Sequence, residues 1–217
     1  MRVIDALPVL RNACNKPFRE LFIGHPEDLK TNKGNVGQLL LLYAGLKLNS
    51  DNTDFIDGEL KTNKANTDST PKETMFITQI AKNIDLYVGH ESIPFENTKL
   101  YEKIRNIIYL PVVKNSDNAG DWYFTKVIQV NLDDKIETYK KLKDDYESIC
   151  LGLKAHINHK DGLIHTTNGP NYLQIRSKDS KPYHPIYSTQ YGRYLSNKNH
   201  AFYFKKSFML DAVNEVI

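Results

Sequence analysis

Apolar and polar residues alternate through "FIDGELKT", residues Phe55 to Thr62, and this period of two predicts a strand with one buried face. Upstream, "GHPEDLKTNKGNVGQLLLLYAGL" predicts a short helix over Pro26 to Thr31 and a glycine-bearing turn at Lys33 and Gly34. A strongly apolar helix from Val36 to about Leu46 follows, expected to be buried on most sides. Downstream, "NTDSTPKE" reads as a turn, and "TMFITQI", Thr74 to Ile80, as a second strand that pairs with or lies beside the first.

The second half carries the same two periods. "KLYEKIRN" predicts a short helix running into a buried strand, "IIYLPVV", which ends at the turn Asn115 to Gly120. "WYFTKVIQVN" is expected to be one strand. From Asp133 to about Lys154 the helical period places Ile136, Tyr139, Leu142, Tyr146, Ile149 and Leu153 along one side, making this the longest helix. "NYLQIRSK" predicts a strand, a tyrosine-rich loop follows, and "HAFYFKKSFM" predicts a strand feeding a C-terminal helix.

Helical and strand patterns interleave without repeats or a composition shift, so the expected fold is mixed α+β, a single domain over residues 1–217, with two sub-lobes as a variant. With 217 residues and 40% hydrophobic positions, the chain is long enough to bury a sizeable core. The longest apolar run, Leu39 to Ala44, is far short of the roughly 20 residues that span a bilayer. A cytoplasmic protein with no membrane partner is the expectation. Cys14 and Cys150 are too few and too far apart for a disulfide framework or a cysteine zinc site, and read as reduced thiols.

The net charge of +3 excludes little, but its distribution does more. Between Asn171 and Lys206, Arg176, Lys178, Lys181, Arg193, Lys198, Lys205 and Lys206 face a single acid, Asp179. Such a segment either attracts a polyanion or forms a solvated basic face. The tyrosines interleaved with it, Tyr183, Tyr187, Tyr191 and Tyr194, either pack against sugar and phosphate or cover a core. His156 and His159 in "HINH" lie close together in sequence, but no third metal ligand is evident beside them.

The alternating run at Phe55 also carries chemistry. Residues i and i+2 of a strand share a face, so Glu59 and Lys61 project together while Leu60 turns to the other side, with Asp54 just before them. Two carboxylates and the Leu60 carbonyl offer oxygen ligands to a hard divalent cation. The Lys61 ammonium beside them can orient a water and offset negative charge developing on a phosphate. The competing reading is a surface strand with compensating charges.

In order along the chain, "PEDLKTNKGNVGQLLLLYAG", "DFIDGELKTNK", "KETMFI", "KIRNIIYLPV", "YLQIRSK" and "AFYFKKSF" resemble the motifs of the MutH-type endonucleases. These comprise the mismatch-repair nicking enzyme and related restriction enzymes acting at GATC, within the PD-(D/E)xK nuclease superfamily. The resemblance implies a restriction-endonuclease-like central mixed sheet flanked by helices, in two lobes around a DNA cleft. It implies Asp54 and Glu59 as ligands of Mg2+, Lys61 beside the attacking water, and Lys103 as a further active-site lysine. On double-stranded DNA, it implies contacts by Lys33, Phe76, Arg176, Ser177, Lys178 and Tyr203, with Arg176 entering the groove and Tyr203 near the adenine methylation position.

Two departures from the family pattern bear on the site. Leu41 stands where the family has a helix glutamate, with Gln38 one turn earlier as a substitute. The spacing from Asp54 to Glu59 is shorter than the family's, which leaves Asp57 as an alternative ligand. The reading is a magnesium-dependent type II restriction endonuclease acting at GATC or a related short site, giving 5′-phosphate ends and dimerising on a palindrome. A mismatch-repair nicking enzyme and a DNA-binding module impaired in catalysis are the alternatives.

Overall fold

The computed structural model describes residues 1–23, 35–47 and 53–217. In chain order the elements are α1 (Val3–Ala13), α2 (Phe18–Leu21), α3 (Asn35–Tyr43), β1 (Glu59–Ala65), β2 (Met75–Gln79), α4 (Ile84–Val88) and α5 (Lys99–Ile104). They continue with β3 (Asn106–Val113), β4 (Tyr123–Phe124), β5 (Ile128–Asn131), α6 (Ile136–His159), β6 (Thr167–Asn168), β7 (Leu173–Ser177), β8 (Ile186–Ser188), β9 (Arg193–Ser196), β10 (His200–Phe204) and α7 (Lys206–Val213). The fold is mixed α+β. The expected helix at Pro26 to Thr31 and the turn bearing Lys33 lie outside the described residues. Among those described, no helix is long and apolar enough to cross a membrane.

The chain divides into two compact units. The first holds Met1–Glu73, Lys103–Lys135 and Met209–Ile217; the second holds Thr74–Glu102 and Ile136–Phe208.

In the first unit, β1 runs parallel to β3, with Glu59 opposite Ile107 and Lys61 opposite Tyr109. All eight residues of β3 are buried, as a strand covered on both faces requires. β4 and β5 both pair antiparallel with β3, β4 at Val112 and Val113, β5 at Asn106 to Tyr109. The single strand expected over "WYFTKVIQVN" is therefore two. Pro111 of β3 has no N–H to donate, so the ladder breaks there and only its carbonyl is used, accepting from the Thr125 amide at 3.1 Å. The core gathers Leu7 and Leu10 of α1, Phe18, Leu40, Leu60, Ile108, Leu110 and Phe124. α1 escaped sequence reading because Pro8 interrupts its pattern.

Helix α3 buries one stripe, Val36, Leu39, Leu40 and Ala44, while Gln38 and Leu42 are exposed, so the expectation of burial on most sides is corrected. The helix ends before Gly45, whose φ of +82° is a conformation other residues adopt at a cost.

In the second unit, a sheet of order β2-β10-β7-β6 is antiparallel throughout, so β2 pairs with β10 and not, as expected, with β1, whose partner is β3. α6 lays Leu142, Tyr146, Ile149 and Leu153 into the core, but Ile136, expected on that face, is 62% exposed. Its place in the buried set is taken by a charged residue. Asp145 is fully buried, and its carboxylate accepts the amides of Asn171 at 2.6 Å and Leu173 at 2.7 Å, and that of Tyr172 between them. Gly169 permits this approach, since a Cβ there would stand 2.5 Å from Asp145 Oδ1. The tyrosine-rich loop contains a hairpin that periodicity did not reveal, β8 with β9, turned at Gly192 and braced by Tyr187 against Tyr194. The last strand yields to helix at Lys206, earlier than "HAFYFKKSFM" suggested.

Candidate active site

The strand predicted from Phe55 begins at Glu59, because residues 54–58 fold into a tight turn in which the Phe55 amide donates to the Gly58 carbonyl at 2.9 Å. Gly58 is needed here: a Cβ would stand 2.4 Å from the Asn106 carbonyl oxygen at the start of β3. From this anchored turn β1 sets Leu60 into the core and Glu59 and Lys61 together on the opposite face.

Glu59 is 4% exposed, and both lysines converge on it. Lys61 Nζ lies 2.7 Å and Lys103 Nζ 2.8 Å from Glu59 Oε1, while Oε2 accepts the Asp54 amide at 3.3 Å. Lys103 arrives from the last turn of α5, immediately before β3, which is why residues far apart in sequence share one carboxylate. Asp54 Oδ2 accepts the Leu60 amide at 2.9 Å, covering a donor that β1 leaves unpaired on the side away from β3. In a strand one residue's N–H and C=O point the same way, so the Leu60 carbonyl faces the side on which Asp54 sits.

Burial, and next the charge of Glu59, raise the Asp54 carboxyl above its ordinary range, against the opposing Leu60 hydrogen bond and the two lysines. Crowded carboxylates with a carbonyl oxygen beside them are a donor set that a hard divalent cation suits, because its charge relieves the repulsion that the pair otherwise carries. Asp57 is occupied elsewhere: its Oδ1 accepts the Val3 amide at 2.8 Å in the first turn of α1, a capping contact. Asp54 is left beside Glu59 and the Leu60 amide. Leu41 is partly buried against the apolar core and Gln38 is exposed.

The second unit brings together the residues expected to touch DNA. Phe76 of β2 and Tyr203 of β10 stand opposite each other with ring centroids 5.8 Å apart and nearly perpendicular. Arg176, exposed on β7, lies over the Tyr203 ring at 5.7 Å and donates to Thr74 Oγ1 at 2.9 Å; Lys178 lies 3.7 Å from the Phe76 ring centre. Ser177 is exposed beside Arg176. Aromatic faces thus hold two cationic groups at the end of one strand. Lys205, counted with the basic segment, donates to the Gly169 carbonyl and is engaged in the fold. Lys33 lies outside the described residues. Both cysteines are free, and burial pushes each thiol up to about 11.

One cluster was not foreseen as such. His156 finds two companions, Asp161 and His165, with one ligand atom from each inside 4.8 Å of the others; His159 is not among them. These companions come not from the neighbourhood of "HINH" but from the turn and the segment after the helix.

Two carboxylates and two ammonium groups thus meet on and beside β1, a strand at the edge of a mixed sheet. No family model matches the chain. It is 28% identical over 204 aligned residues to the DNA mismatch repair protein MutH of Buchnera aphidicola subsp. Baizongia pistaciae (strain Bp), covering 86% of this chain and 83% of that protein. The resemblance to the MutH-type endonucleases therefore extends through most of the chain. Among solved structures, the complex of restriction endonuclease MvaI with its cognate DNA substrate aligns over 96% of this chain and 93% of its own, at 12% identity and a TM-score of 0.43.

Proposed function

We propose that the protein is a divalent-cation-dependent DNA endonuclease, with Asp54, Glu59, Lys61 and Lys103 as its active site and Mg2+ as its metal. The observation that carries this reading is the convergence of Lys61 and Lys103 on buried Glu59 beside Asp54, in a chain whose ordered motifs resemble those of MutH-type enzymes. Asp54, Glu59 and the Leu60 carbonyl would hold the cation, which supplies charge neutralisation at the scissile phosphate and a more acidic water. With the charge of Glu59 neutralised by a bound cation, Lys61 and Lys103, which now share Oε1, would be free to face the substrate. Lys61 then donates a hydrogen bond that orients the attacking water, and Lys103 stabilises negative charge accumulating on the phosphoryl oxygens. Breaking the P–O3′ bond leaves a 5′-phosphate.

Arg176, held by Tyr203 and Thr74, is the residue proposed to read a guanine through O6 and N7, with Ser177, Lys178, Phe76 and Tyr203 shaping that contact and Lys33 adding a phosphate contact. GATC, or a related short site, is the proposed target. The restriction role is preferred because Leu41 replaces the helix glutamate, and cutting both strands then calls for two copies on a palindrome. The nicking role has one specific observation behind it, the mismatch-repair name of the curated relative.

Digesting adenine-methylated and unmethylated plasmids with Mg2+, and sequencing the ends, tests the proposal. Linear products with 5′-phosphates at one short sequence are expected, with Arg176→Ala weakening site-specific binding about 10- to 100-fold, the equivalent of about 1–3 kcal/mol for one bidentate base contact. Nicked circles dependent on a mismatch-repair partner would transfer the assignment to the repair role. Binding without any cleavage would leave a DNA-binding module.

A further inference from the structure

The second unit contains a group of metal-ligating side chains to which the endonuclease reading gives no role. His156 lies in the last turn of α6, Asp161 in the turn that follows, and His165 in the segment leading to β6. The Asp161 and His165 side chains meet at 2.6 Å between Oδ2 and Nε2, and the rings of His156 and His165 lie 5.0 Å apart at 45°.

The backbone that presents them is tied down on every side. Asp161 Oδ1 accepts the Leu163 amide at 3.1 Å, and the amides of Lys160 and Gly162 return to the His156 carbonyl at 3.3 and 3.2 Å. Gly162 takes a φ of +80°, and its carbonyl is held by Arg193 Nη1 at 2.8 Å. Nη2 of the same guanidinium reaches the Ile157 carbonyl at 3.4 Å, so this nearby positive charge is engaged by backbone oxygens. Beyond the turn, the Ile164 amide donates to the Leu195 carbonyl of β9 at 2.8 Å.

We propose that His156, Asp161 and His165 form a site for a zinc-class divalent transition metal, separate from the Mg2+ centre of the first unit. Two imidazoles and one carboxylate, with a fourth position left to water, are a ligand set for such ions, whereas Mg2+ favours oxygen donors. In a tetrahedral site with bonds of about 2.0–2.1 Å, neighbouring ligand atoms stand roughly 3.3 Å apart. Ligand atoms already within 4.8 Å of one another lie close to that spacing. The ion takes the place of the Asp161–His165 hydrogen bond, any Nε2 proton passing to Nδ1 or to solvent, and fastens the end of α6 to the segment entering β6. His165 also lines a cavity of about 630 Å3 with Ser177, Tyr194, Lys198 and His200, so occupancy stiffens one of its walls.

Cobalt(II) titration followed by visible absorption, with isothermal titration of Zn2+, provides the test. The full-length wild type is expected to take up about one equivalent per chain with the intense d–d bands of four- or five-coordinate cobalt, which an octahedral all-oxygen site lacks. Glu59→Gln, which removes a carboxylate of the other centre, keeps this signal. His156→Asn and His165→Asn each weaken binding at least about a hundredfold. They also abolish the rise in melting temperature that Zn2+ gives the wild type, while their metal-free melting temperatures stay at the wild-type value. Two separate histidine variants allow for one that fails to fold. The site is refuted if wild type shows only octahedral cobalt, if Glu59→Gln loses the signal, or if the folded histidine variants bind as wild type does.

Discussion

Lys61→Ala is expected to lower the rate of DNA cleavage by about 10²- to 10³-fold, the typical loss when a preorganised donor to a charged transition state is removed. DNA affinity, measured without a divalent cation, should change little, because in that state the ammonium stands 2.7 Å from Glu59 Oε1. Lys103→Ala should resemble it, since both ammoniums share that one oxygen, and the double variant should lose less than the product of the two single losses. Single-turnover cleavage of a defined duplex measures all three. An unchanged rate for Lys61→Ala removes the lysine from the chemistry and returns Glu59-x-Lys61 to the role of a structural ion pair.

The second large effect concerns stability rather than chemistry. Asp145→Ala deprives three consecutive buried amides, those of Asn171, Tyr172 and Leu173, of their acceptor. Unsatisfied buried donors and the loss of charge-assisted bonds point to a cost of about 3–5 kcal/mol, a large share of a domain's roughly 5–15 kcal/mol. Asp145→Asn keeps one accepting oxygen and should cost less. Because these amides lead into β7, the strand that carries Arg176, the alanine variant should also lose site-specific DNA binding at temperatures where it remains folded. Denaturant midpoints at equal m-value measure the stability change. A shift within about 0.5 kcal/mol, the range of ordinary surface substitutions, would show that α6 does not support β7 through this carboxylate.

The contrast between these residues explains what sequence alone made legible. Glu59, Leu60 and Lys61 were readable because a strand's period of two assigns faces without knowledge of the rest of the chain, and Lys103 was reached only through the family motif. Asp145 was hidden because an acid in "KLKDDYES" reads as solvated; only tertiary packing brings three amides to it. Between Asp54 and Asp57 the sequence already favoured Asp54, because Asp57 and Glu59 would share one strand face; the contact of Asp57 with the Val3 amide, across 54 residues, is visible only in the fold. The division of "WYFTKVIQVN" depended on a proline in the neighbouring strand. The His156, Asp161 and His165 group spans a helix end, a turn and a loop, a combination for which no spacing rule exists.

Everything proposed for catalysis rests on Asp54 and Glu59 sharing a divalent ion. Diffraction from crystals soaked in Mn2+, recorded at the manganese absorption edge, examines that directly. The account predicts an anomalous peak bonded to carboxylate oxygens of both residues, with Lys61 and Lys103 withdrawn from Glu59 Oε1. Crystals that show no peak there, with both ammonium groups still on Glu59, would contradict it.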